Sequence, residues 1–90
     1  MQTKLLQYRI IITPDRQTGT DKAVYTAFCP LLGIADDGDT IEEALGNIQG
    51  AIEEYVEVLA EDGEVIQIDH PERDIVTTTQ IQAPSNLQYA

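Results

Sequence analysis

Asp36, Asp37 and Asp39 place three carboxylates within four residues, and clustered carboxylates are what a pair of Mg2+ ions needs to drive phosphoryl transfer. Such centres draw their ligands from several strands onto one point. Here all three lie beside a single turn, and Asp39 and Thr40 have capping work to do at a helix start, so the structural reading outweighs the nuclease one. Cys29 is the sole cysteine and His70 the sole histidine. A thiol nucleophile needs a base beside it, yet His70 stands far along the chain, just before Pro71. A lone Cys at a strand end reads as a small buried hydrophobe, His70 as a surface loop residue, and one His without a second Cys makes no zinc set. The expectation is no catalytic residue, no cofactor and no metal.

What remains is charge. Between Asp36 and Glu64 stand eleven acidic residues and no Lys or Arg, while the other 61 positions balance five acids against five bases. The net charge of -11 therefore belongs to one element. Glu53, Glu57 and Glu61 recur at steps of four, where like charges on a helix repel slightly. A solvated acidic face is the bland account. Against it, ordinary helices mix signs, and a face of one sign attracts cationic partners at rates that fall with salt. The candidate partner-binding residues are Asp36, Asp37, Asp39, Glu53, Glu57 and Glu61, with exposed positions on the strands. Five basic residues cannot supply the phosphate contacts of autonomous nucleic-acid binding.

A chain of 90 residues makes one domain and buries roughly 60–65% of its unfolded surface, so oligomerisation or a partner would help it. An apolar content of 42% is globular. No disulfide framework is possible with one cysteine, which favours a reducing compartment. Neither an export h-region nor a run of about 20 apolar residues occurs, and the expectation is a cytoplasmic protein with no membrane partner.

Tyr8–Thr13 is β-branched and apolar enough for a strand that Pro14 should stop. Turn residues follow to Lys22, then a second strand over Ala23–Cys29, joined to the first as an antiparallel hairpin. Leu32–Asp36 suits a short third strand. Thr40 and Glu43 form a capping box, and from there Ile41, Leu45, Ile48, Ile52, Tyr55 or Val56, and Leu59 make one apolar helical stripe that Gly63 ends. Gly46 and Gly50, four apart, suggest close approach of another backbone, with the chain's own sheet favoured over a dimer. Val65–Ile68 reads as a fourth strand. Ile75–Gln82 reads as an optional fifth that could pair with a sheet edge and make a homodimer or higher homo-oligomer, and the polar remainder as a frayed tail. The fold class is α+β: a small antiparallel sheet, β-β-β-α-β, with one long helix across a face, residues 1–70 forming the domain and 71–90 a strand and tail.

Cys29-Pro30, then Leu32-Gly33-Ile34-Ala35, Gly38 through Leu45, Asn47, Ala51 and Glu61-Asp62-Gly63 together resemble the HicB antitoxin domain. Tyr8 to about Ile66 is covered. The resemblance implies a partial ribonuclease-H-like domain that silences a small basic toxin, HicA, an mRNA-cleaving protein. Many members carry a further DNA-binding module. Residues 69–90 are too short, too polar and too poor in Lys and Arg for one, so no direct operator binding is expected. The competing expectation is an oligomeric ligand- or protein-binding module without a toxin.

Overall fold

The computed structural model describes residues 4–86 and 88. Runs of β-branched and aromatic residues form two strands, β1 (Ile11–Arg16) and β2 (Ala23–Cys29), and a third, β3 (Ile34–Gly38), pairs along β2 although only Ile34 in it is β-branched. They pair antiparallel in the order β1-β2-β3. One helix, α1 (Ile41–Glu61), follows, and a single 3-10 turn spans Pro71–Arg73. Sheet and helix make an α+β fold. No helix among the described residues is long and apolar enough to cross a membrane.

Registers assign the two sheet faces. Ile12, Ala27 and Asp36 lie side by side on one face, as do Cys29 with Ile34 and Tyr25 with Gly38. That face meets the helix. Ala27, Cys29, Ala44, Ile48 and Ile52 are the fully or nearly buried core, with Tyr8, Ile10, Ile12, Ile34 and Val56 packed around it.

The closest contact is at the end of β3. A Cβ on Gly38 would stand 2.8 Å from Ala44 Cα, 2.7 Å from Glu43 C and nearer still to Ala44 N. Only glycine fits there. Asn47 reinforces the join, its Nδ2 donating to the Asp37 carbonyl at 2.7 Å. This close approach sets the helix rotation: Ala44, Ile48 and Ile52 face the sheet with Val56, while Ile41, Leu45 and Tyr55 remain exposed on the flanks. The expected stripe is thus displaced at its first turns, because the strand end leaves room for Ala44 and not for a larger side chain. Gly46 and Gly50, by contrast, are exposed and a Cβ on either would meet nothing within 4 Å. Neither mediates the close approach expected of it within this chain.

The helix begins and ends where expected, but of the capping box only the Thr40 half forms among the described residues, with no bond from Thr40 N to the Glu43 carboxylate. Thr40 Oγ1 accepts from Glu43 N at 3.0 Å, and Gly63, at φ +69°, closes a Schellman motif in which Glu64 N donates to Leu59 O at 2.9 Å and Gly63 N to Ala60 O at 3.2 Å.

Four boundaries differ from expectation. β1 begins at Ile11 and runs through Pro14, which an edge strand tolerates because a proline there need not break a ladder. β3 begins at Ile34, since residues 30–33 form a turn closed by Gly33 N donating to Cys29 O at 2.9 Å. Residues 65–68 form no strand. They run beside Tyr8 and Arg9, but side chains make the join: Tyr8 Oη donates to Gln67 O at 2.6 Å and Arg9 N donates to Asp69 Oδ2 at 2.8 Å. The carboxylate takes the N–H that a backbone ladder would use. Residues 75–82 are also not a strand but an exposed extension, because the pairing partner a strand requires is absent among the described residues.

Gly38→Ala is expected to cost about 1–3 kcal/mol or more by overpacking, whereas Gly46→Ala, on an open helix face, should stabilise by up to about 1 kcal/mol. Urea unfolding of the two variants checks both signs.

Candidate functional site

The sheet face turned away from α1 is uncovered. Alternation along the strands puts Ile11, Phe28 and Ala35 there in one cross-strand row and Thr13, Thr26 and Asp37 in the next, with Asp15 paired to Val24 beyond them. Ile11 is 49% and Phe28 40% exposed. Large apolar side chains on a central and an edge strand, left open together, make a surface suited to a protein partner.

Charge gathers at the end of this face. Asp15, Asp37, Asp39 and Glu43, with Arg16 and Thr26, line a shallow cleft of about 540 Å³ between the β1–β2 turn and the start of α1. Local bonds orient the acids. Asp37 Oδ1 accepts from Thr26 Oγ1 at 3.1 Å, and Asp39 Oδ2 pairs with Lys22 Nζ at 3.1 Å. Both partners of that ion pair are about half exposed, so it adds little stability and leaves Asp39 available to another cation.

The structure divides the six expected acidic residues. Asp37 and Asp39 meet at the cleft. Asp36 points to the opposite sheet face beside Ala27, its Oδ1 accepting from Asp37 N at 2.8 Å. The three aspartates therefore serve the strand end and the turn instead of converging, and among the described residues no three His, Cys, Asp or Glu side chains gather as a metal set. Glu53 and Glu57 border a separate apolar groove between α1 and residues 4–10, and Glu61 sits exposed in the last turn of the helix. No basic residue occupies that last turn.

Cys29 is fully buried in the core, and His70 is exposed, with Nδ1 3.5 Å from Glu72 Oε1. The two make no nucleophile–base pair. Four groups beyond the expected ones gather just before the start of β1. Arg9 pairs with Asp74 at 2.6 Å, and this hydrogen bond raises the guanidinium pKa further. Asp69 is held below the usual carboxylate range, chiefly by accepting the Arg9 N–H, against a smaller opposing effect of burial. Burial, followed by the charges of Cys29 and Asp69, raises the Tyr8 phenol. Sequence reasoning missed the Arg9, Asp69 and Asp74 cluster because it joins residues about sixty apart. It missed Asp15 because the run of acids begins only at Asp36.

Compared with known proteins, the chain is 34% identical over 74 residues to the UPF0150 protein ssr1765 of Synechocystis sp., spanning 81% of this chain and 82% of that relative. No protein-family model and no solved structure matches it.

Thr40→Ala should cost about 1 kcal/mol through loss of the helix N-cap, read by thermal or urea unfolding. Because the folded Asp69 pKa is lowered, its stabilising contribution is present above the ordinary carboxyl pKa of about 3.9 and is lost as pH falls through the folded value. NMR titration should show the Asp69 carboxyl and the Arg9 amide sharing one midpoint below that ordinary value, and the Arg9 amide should cease to titrate in Asp69→Asn.

Proposed function

The chain belongs to the UPF0150 family, a HicB-like family, and from that premise we propose that it is an antitoxin-like protein that binds and neutralises a small, basic, HicA-type mRNA-cleaving toxin. The observation that carries the reading is the open sheet face: an apolar row, Ile11–Phe28–Ala35, ending at a cleft walled by Asp15, Asp37, Asp39 and Glu43. An RNA-cleaving protein presents cationic side chains where it holds phosphates. The acidic end of the face offers those side chains carboxylates in place of phosphates, and the apolar row supplies the buried contact that holds the complex once formed.

Neutralisation on these terms is occlusion. The chain performs no reaction, and needs no metal or cofactor; it covers the surface on which the toxin would hold RNA. The remaining acids act at longer range. Glu53, Glu57 and Glu61 add to the field of a chain of net charge -11, accelerating encounter with a cation more than they strengthen the final contact. Direct operator binding has no place in this mechanism, since basic residues number five in all.

The test is association kinetics with a purified HicA-type toxin together with an RNA-cleavage assay. The on-rate should fall about tenfold or more from low to high ionic strength. Charge reversal at Glu53, Glu57 and Glu61 should slow it without altering the fold, and Phe28→Asp should weaken affinity by about tenfold or more with its main effect on dissociation. RNA cleavage that continues unchanged at saturating chain, or an on-rate indifferent to both salt and charge reversal, would contradict the proposal and favour a binding module with another partner.

A further inference from the structure

A second concavity lies on the helix side of the molecule, away from the open sheet face. Leu6, Tyr8 and Ile10 form one wall, Leu45, Ile52 and Val56 the other, enclosing about 670 Å³. Glu53 and Glu57 on the helix and Lys4 on the facing segment stand along its rim. The groove exists because α1 packs over β2 and β3 and leaves the approach to β1 uncovered. Its floor is apolar and the charged groups beside it carry both signs, so an extended segment with apolar side chains and no charge fits it.

This chain supplies such a segment. From Ile75 onward the sequence holds no Asp, Glu, Lys, Arg or His, so every charged side chain lies before it. Ile75 is 91%, Val76 81% and Ile81 82% exposed. Among the described residues, 75–82 make no backbone-to-backbone hydrogen bond, although six of the eight are β-branched and suit a paired strand. Alternation places Ile75, Thr77, Thr79 and Ile81 on one side. Lengths agree as well: Leu45 to Ala60 rises about 22 Å along a helix, and an extended run from Ile75 to Ile81 spans about 20 Å.

We infer that residues 75–82 are an exchange arm that seats in the groove of a second copy of this chain. The arm cannot easily serve its own groove. Arg9 holds Asp74 at 2.6 Å, fixing where the arm departs, and the run Ile-Val-Thr-Thr-Thr-Gln-Ile-Gln that follows contains no Gly, Pro, Asn, Asp or Ser to reverse it. The arm therefore projects. The radius of gyration is 17.4 Å and the longest extent 60 Å, against about 12 Å for the radius of a compact 90-residue chain. Reciprocal seating about a two-fold axis uses two identical contacts and closes at a dimer. Two bodies that repel each other are then joined through segments that carry no charged side chain.

The inference does not depend on the antitoxin reading, and its test uses the protein alone. Sedimentation velocity of the full chain should show a concentration-dependent dimer. A chain truncated after Asp74 should associate at least about tenfold more weakly, as should Ile81→Asp on the arm and Leu45→Asp on the groove wall, with helical circular dichroism retained in each. Oxidation of a Leu6→Cys, Ile81→Cys double variant, mixed in two differently tagged forms, should yield disulfide-linked dimers carrying both tags. A monomeric full chain, an association that truncation leaves unchanged, or a disulfide formed within one chain would each overturn it.

Discussion

The meeting of Gly38 with Ala44 is the constraint on which the remainder of this small fold depends. Backbone touches backbone there, and no Cβ can be accommodated on the strand. Because the contact lies at the first turns of α1, it fixes both the direction and the rotation of a 21-residue helix. Ala44, Ile48 and Ile52 then fall onto Ala27 and Cys29 and complete the core. The same rotation leaves Leu45 and Val56 beside the groove and turns Glu53 and Glu57 to its rim. Two surfaces with different chemistry, an open sheet face and an apolar groove, thus follow from one missing methyl group.

Just before the start of β1 a side-chain contact does work usually left to the backbone. Asp69 accepts the Arg9 N–H, Gln67 O accepts from Tyr8, and Asp74 pairs with Arg9. These three bonds tie the segment after the helix to the segment before β1 without adding a strand. Bonds of this kind are individually modest and two of the three are exposed to solvent, so the tether is weaker than a ladder. It holds the start of the projecting arm in place while leaving the arm itself free.

The amino-acid pattern made the elements legible and left their contacts obscure. β2 and α1 fall where β-propensity, the Thr40 cap and Gly63 put them, since each signal acts within a few residues of its own position. Pro14 misled because a proline ends a central strand but is tolerated on an edge, and only the finished topology reveals which strand is the edge. Val65–Ile68 misled because β-branching reports fitness for a sheet and not the presence of a partner. Gly46 and Gly50 drew attention through their spacing, while Gly38, which matters more, looked like an ordinary turn glycine. Among the acidic residues, Asp37 and Asp39 share a cleft with Asp15 and Glu43, but alternation along β3 sends Asp36 to the other face, a division that charge counting cannot see.

The end of α1 carries a further consequence. Glu61 and Asp62 stand where the helix dipole is already negative, and no basic side chain occupies the last turn to offset them. Added salt screens this internal repulsion and should favour the free fold, yet the same ions weaken attraction to any cationic partner. Folding and recognition therefore respond to ionic strength with opposite sign. A dilute medium leaves the lone chain under electrostatic tension, and a cationic partner relieves that tension by neutralising it.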